Sequence, residues 1–199
     1  MSQFKEKVNP ITLRSKKWIV NSLIELMEKK PYNQITLKEI AENVDLARQT
    51  IYRNFATKEA ILEYHVDGLY NEFIKIISTK KEVTLNDLLI TYFEYWYKNK
   101  EFLKKLIDNN VYLILLDLHL KYLNSMAINE EFKKLTFVSE NSYFNHFTAG
   151  GLWFVLKRWI EDDAEKTPKE MTNIILNFYH IKGLNTESIK EKWTFKENM

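Results

Sequence analysis

On one short stretch of this 199-residue chain stand side chains that bond phosphates and base edges: Arg48, Gln49, Thr50, Tyr52 and Arg53. If the stretch is helical, Ala47, Ile51 and Phe55 fall at i, i+4 and i+8 and turn inward. The other five then share the outward side. That side carries no Asp or Glu, whereas a merely solvated helix face usually mixes both signs. A helix fits the width of a major groove, where Arg and Gln make paired hydrogen bonds to guanine and adenine. Tyr52, between two arginines, suits packing on a sugar–phosphate strand. A helical hairpin with a polar face explains the spacing alone equally well; the missing acids and the exposed Tyr52 favour DNA.

Catalytic chemistry finds less support. The chain has no G-x-G-x-x-G, no P-loop and no H-E-x-x-H. The absence of cysteine removes disulfides, thiolate nucleophiles and Cys-type zinc sites together. The histidines, His65, His119, His146 and His180, are far apart and form no short ligand pair. Asp117 and His119 are two apart and point to different sides of a helix. The expectation is a protein that is not an enzyme and needs no cofactor or metal.

The elements that must hold the basic face read as helices. Thr36-Leu37-Lys38-Glu39 is a capping box, followed by Leu37, Ile40, Ala41 and Val44 at helical spacing. Asp45-Leu46 supplies a short turn, and a second helix runs from about Ala47 to Phe55. The whole motif, Thr36 to Phe55, is a helix-turn-helix. Similar stripes recur: Ile19, Val20, Leu23, Leu26 and Met27; Leu62, Val66, Leu69, Phe73 and Ile76; Leu85, Leu88, Leu89, Tyr92, Phe93 and Trp96; and Met171, Ile174, Ile175 and Phe178. Thr57 and Thr84 are expected N-caps, and Thr167-Pro168-Lys169-Glu170 is a second capping box. Asp67-Gly68 sits inside an unbroken stripe, so a hairpin turn there is rejected. With only 4 Gly and 3 Pro, the chain reads as all-α. Charge divides along it: 11 Lys/Arg against 6 Asp/Glu up to Lys58, then 18 against 21. A basic head on a mildly acidic body suits a polyanionic partner, and a solvated surface with chance clustering explains the charge alone equally well.

Ile40-Ala41, Val44-Asp45-Leu46, Thr50-Ile51-Tyr52-Arg53-Asn54-Phe55 and Lys58-Glu59-Ala60-Ile61-Leu62 together resemble the N-terminal domain of the TetR family of bacterial transcriptional regulators. The resemblance covers roughly Arg14 to Leu62. It implies a three-helix DNA-binding head, with Thr36 and Lys58 on phosphates and Arg48 to Arg53 in the groove, followed by Asn54. Three positions depart from the pattern. Asp45 stands where Gly is usual, Ala47 replaces a Ser or Thr cap at a cost of ~1 kcal/mol, and Asn54 replaces His or Tyr. The expected division is residues 1–58 for DNA binding and 59–199 for a larger helical bundle.

Of the 28 aromatic residues, 23 lie beyond Lys58. The resemblance implies a body that dimerises and holds a ligand pocket, whose occupation moves the heads out of register with major grooves ~34–36 Å apart. Tyr92, Trp96, Tyr112 and His119 are the candidate pocket residues, although any one ring is explained as well by a filled core. Gly150-Gly151 lies in a helical stretch from Phe147 to Trp159, at a cost of roughly 2 kcal/mol relative to Ala. Close helix approach would offset that, within one protomer or between two. The resemblance favours a homodimer, with Phe147, Gly150, Gly151, Val155, Trp159, Ile174 and Phe178 at the interface. No membrane span is expected: Val111 to Met126 is broken by Asp117, His119 and Lys121 and is shorter than ~20 residues. Met1 to Asn9 is polar, unlike a secretory signal. The expected protein is a cytoplasmic homodimeric repressor, released from a palindromic operator by a small apolar or aromatic ligand. The alternatives are a regulator, repressor or activator, controlled by a protein co-regulator on a solid core, and a helical enzyme or binding module carrying a basic hairpin.

Overall fold

The computed structural model describes residues 10–79, 83–128 and 142–181. These form α1 (Pro10–Lys29), a one-turn 3-10 helix (Tyr32–Gln34), α2 (Leu37–Asn43), α3 (Arg48–Asn54), α4 (Lys58–Ser78), α5 (Leu85–Lys98), α6 (Lys100–Asp108), α7 (Leu113–Ile128), α8 (Ser142–Glu161) and α9 (Pro168–Ile181). No strand occurs among the described residues, so the all-α expectation holds. No described helix is long and apolar enough to cross a membrane. Met1 to Asn9 and the side chain of His180 lie outside the described residues.

Helix starts follow the side-chain chemistry. At α2 the Thr36 hydroxyl accepts from the Glu39 backbone and the Glu39 carboxylate accepts from the Thr36 N–H, so each satisfies an orphan donor. Thr167 and Glu170 do the same for α9. Thr57 caps α4, and Thr84 forms a further box with Asp87. Helix ends depend on left-handed residues: Asp45 (φ 51°), Asn110 (φ 57°) and Asp163 (φ 53°) each close a helix whose following N–H returns to a carbonyl five residues back. Asp and Asn tolerate this conformation better than other non-glycine residues.

The core is continuous from Ile19, Leu23 and Ile40 through Ile61, Val66 and Phe93 to Trp96, Trp153 and Leu156. Two expected inward positions are corrected. Ile76 is 44% exposed and Ile77 is buried, because the long stripe of α4 steps by four from Phe73. Ala47 is exposed as the N-cap of α3, and Leu46 packs against the core before it.

Two clusters fix the head. The Ser22 hydroxyl, on α1, donates to the Ile40 carbonyl (3.0 Å), and Asn43 reaches back to Ser22 and Glu25. Between head and body, the Tyr32 N–H donates to Asn109 Oδ1 (2.8 Å), while Asn109 Nδ2 donates to the Met27 carbonyl (3.3 Å) and the Lys105 carbonyl (2.9 Å). Lys105 pairs with Glu28 at 2.5 Å on the same seam.

Candidate nucleic-acid interface

The turn from α2 to α3 is set by Asp45, after which the Leu46 N–H donates to the Ala41 carbonyl (3.0 Å). Ile51 is then fully buried and Phe55 nearly so, held edge-on by Tyr64 at 5.5 Å between ring centres. With that side anchored, Arg48, Gln49, Tyr52 and Arg53 stand exposed together on α3, Tyr52 at 59%. Arg48 meets Glu42 of α2 at 3.3 Å, so one carboxylate borders the otherwise acid-free face. At the surface such a pair is weak and yields readily to a phosphate. Lys16 of α1 lies 5.4 Å over the Phe55 ring and 4.7 Å over the Tyr64 ring, adding a cation beside the end of α3. Sequence reasoning missed it, although the run Arg14, Lys16, Lys17 was there to be read.

The other four candidate residues are engaged inside the head. Thr50 is half-buried, and its carbonyl accepts from Asn54 Nδ2 at 2.7 Å, so the Asn54 amide folds back on its own helix. The Thr36 hydroxyl and N–H are both taken by Glu39. Lys30 also pairs with Glu39, and the Lys30 hydrogen bond, then those of Thr36, hold that carboxyl down at about 2. Lys58 Nζ donates to the carbonyls of Tyr32 (2.7 Å) and Ile35 (3.0 Å) and sits 4.4 Å over the Tyr32 ring. It supports the turn before α2, where phosphate contact was expected of it.

In the body, Tyr92 and His119 do meet: the Tyr92 hydroxyl lies 2.7 Å from His119 Nε2. Trp96 stacks on the imidazole at 6.3 Å. Tyr112 is one ring further out, stacked on Trp153 with Lys157 over its face. A cavity of about 40 Å³ adjoins Tyr92 and His119, with Tyr70, Phe73, Leu88 and Leu89 among its walls. Trp96 and Tyr112 are not among them. Burial pushes the His119 pKa down to about 4, so the ring is neutral at physiological pH.

Of the residues expected at a dimer interface, Phe147 (76%), Gly151 and Phe178 (71%) are exposed, and Gly150, Val155 and Ile174 are half-buried. Trp159 is not available to a partner. It is buried against Phe93 (5.5 Å) and Tyr97 (5.8 Å), and its indole N–H donates to the Lys166 carbonyl. A Cβ added at Gly150 or Gly151 would meet nothing within 4 Å among the described residues, so no approach between them requires either glycine. Phe154 (58% exposed) lies seven residues after Phe147 and extends this α8 face, which the sequence reading did not include.

Residues 19–64 match the family described as bacterial regulatory proteins, tetR family, and residues 83–180 match a transcriptional regulator C-terminal region. The chain belongs to the TetR family of bacterial transcriptional regulators. A Bacillus subtilis protein, the uncharacterized HTH-type transcriptional regulator YvkB, is 40% identical over 47 residues, which is 24% of this chain and 25% of that one. Among solved structures, the dihydroxyacetone kinase operon activator DhaS is 20% identical with a TM-score of 0.54, covering 85% of this chain and 96% of its own. The fatty acid degradation regulator FadR from Bacillus halodurans is 16% identical with a TM-score of 0.53, covering 90% and 99%. These structures share the fold.

Proposed function

We propose that the chain acts in the cytoplasm as a homodimer whose two heads read the half-sites of a palindromic operator, residues 1–58 serving DNA and 59–199 serving assembly and signal. The observation that carries this is the exposed face of Arg48, Gln49, Tyr52 and Arg53 on a helix anchored through Ile51 and Phe55. Arg48, Gln49 and Arg53 read base edges and Tyr52 packs on the strand. The α8–α9 face with Phe147, Phe154, Phe178 and the two glycines is the dimer surface. Exposed apolar side chains beside residues too small to hold a partner off support that assignment. On this reading a small apolar ligand in the body releases the operator.

A second reading, a signal delivered by a protein co-regulator, is favoured by the size of the cavity. About 40 Å³ is far below the 300 Å³ or more of an open drug-sized pocket. The test is fluorescence anisotropy of the full chain on palindromic duplexes from beside its own gene, over a salt series. The expected result is one tight complex that weakens steeply with salt. Arg53→Ala and Tyr52→Ala should lose that preference while the dimer stays folded. Wild-type affinity in both variants would mean that another helix reads the DNA.

A further inference from the structure

Around the buried His119, several hydrogen-bond donors have no acceptor among the described residues. His119 is buried between two tyrosines: the Tyr70 hydroxyl meets Nδ1, and the Tyr92 hydroxyl meets Nε2. The Leu115 carbonyl also lies 3.1 Å from Nδ1. A neutral imidazole has one N–H and one acceptor nitrogen. If Nδ1 carries the proton, it donates to Leu115, Tyr92 donates to Nε2, and the Tyr70 proton has no acceptor among the described residues. If Nε2 carries it, Tyr70 donates to Nδ1 and the Tyr92 proton is the one left over. Either tautomer leaves a tyrosine hydroxyl proton unplaced among the described residues.

The surroundings add to that surplus. The indole N–H groups of Trp96 and Trp153 are buried without a partner among the described residues, and both rings lie against His119, at 6.3 and 6.0 Å. The buried Thr148 hydroxyl, one turn before the cavity residue Leu152 on α8, also has none. Buried polar groups without partners are costly and rare in native proteins. The cavity itself adjoins the tyrosines and His119; its other walls are Phe73, Ile74, Leu88, Leu89, Leu123 and Leu152, and no Lys or Arg is among the described residues that line it.

We propose that this cavity binds a small, neutral, apolar carbonyl compound, a ketone or an ester, whose oxygen accepts from whichever of the Tyr70 and Tyr92 hydroxyls His119 leaves without an acceptor. An acceptor without a donor answers the surplus. A carboxylate would bring a charge that the neutral His119 and the carbon walls cannot compensate. An alcohol would add another proton to place. The ligand is small because the space is, and a longer one must displace Tyr122. That ring stacks on Tyr70 at 4.8 Å, and its hydroxyl is held at the surface by Asp67. The effect of such a ligand on DNA rests on reading the body as the sensor, but its binding does not.

The experiment compares butanone and cyclohexanone with their methylene isosteres, in which =CH2 replaces =O, on the full wild-type chain. Binding is followed through the indole N–H resonances of Trp96 and Trp153, assigned by Trp→Phe substitution. The expected result is saturable binding of the ketone about tenfold tighter than its isostere, with both resonances displaced. In Tyr70→Phe/Tyr92→Phe the preference should vanish, while Tyr97→Phe, at an exposed ring, keeps it. Equal binding of ketone and isostere, binding of neither, or a preference that survives in the double variant overturns the proposal. Operator anisotropy separates the two readings: a ketone preference with unchanged operator affinity refutes ligand-driven release and leaves the site standing.

Discussion

At Ala47 α3 begins with no side-chain cap: the Thr50 N–H turns back to the Ala47 carbonyl (2.8 Å), and no Ala47 side chain serves the N–H groups before it. Ala47→Ser should therefore stabilise the head by ~1 kcal/mol, visible as a higher thermal midpoint in circular dichroism; an unchanged midpoint would mean that another group already serves those donors. This vacancy was legible because Ala47 departs from a motif whose parts are adjacent in sequence. His119 makes the opposite case, since its partners Tyr70 and Tyr92 lie 49 and 27 residues away. Its folded pKa of about 4 lies below the ordinary 6.5 because burial disfavours the cation. Between those values the unfolded chain holds a proton that the folded chain does not. Stability should fall as pH drops from about 6.5 to about 4, by at most ~1.4 kcal/mol per pH unit from this group, and gain no further loss from it below that. Denaturant titrations across that window would show the slope reduced in His119→Gln. Half-buried His65, also lowered by burial, supplies a remainder of the same sign. An undiminished slope in the variant would place the linkage elsewhere.

Elements were the most legible level, because caps, stripes and turns act over four or five residues. Thr36 with Glu39 and Thr167 with Glu170 marked two starts that the structure reproduces as reciprocal hydrogen bonds. What sequence could not assign was which face of α8 meets the core. Trp159 and Phe147 are both large and aromatic on the same helix, yet one is buried by Phe93 and Tyr97 of α5 and the other is open. That depends on which helices pack beside α8, and no local pattern encodes it. The glycines next to this open face yield a prediction. Within one protomer, Gly150→Ala and Gly151→Ala meet no neighbour among the described residues and should each favour the helix by up to ~1 kcal/mol. Between protomers, the added methyl groups should hold the partner helices apart. Sedimentation equilibrium on the double variant should show a weakened dimer despite undiminished helicity. A dimer as tight as wild type would remove these glycines from the interface.

On the proposed reading a dimer must hold two heads at the separation of two half-sites, and that demand falls on the seam between α1 and α6. Lys105 with Glu28 is an ion pair at the surface and contributes little. Asn109 bears more, since its one amide joins the Tyr32 N–H and the Met27 carbonyl of the head to the end of α6. Nothing in the local sequence singles out Asn109, which lies 77 residues from Tyr32. Asn109→Ala should leave each head folded, because the Ser22–Ile40 bond and the buried Ile51 lie elsewhere. What it loosens is the angle between head and body. A loosened dimer still places one head on a half-site as before, but the second head no longer starts near its own, so the gain from engaging both sites shrinks. Anisotropy titrations should therefore find half-site affinity unchanged and affinity for the full palindrome reduced about tenfold, with a smaller salt slope wherever only one head is bound. An equal loss on both duplexes would assign Asn109 to the folding of the head, and the rigidity that sets the spacing would then have to come from the packing of α1 on α4.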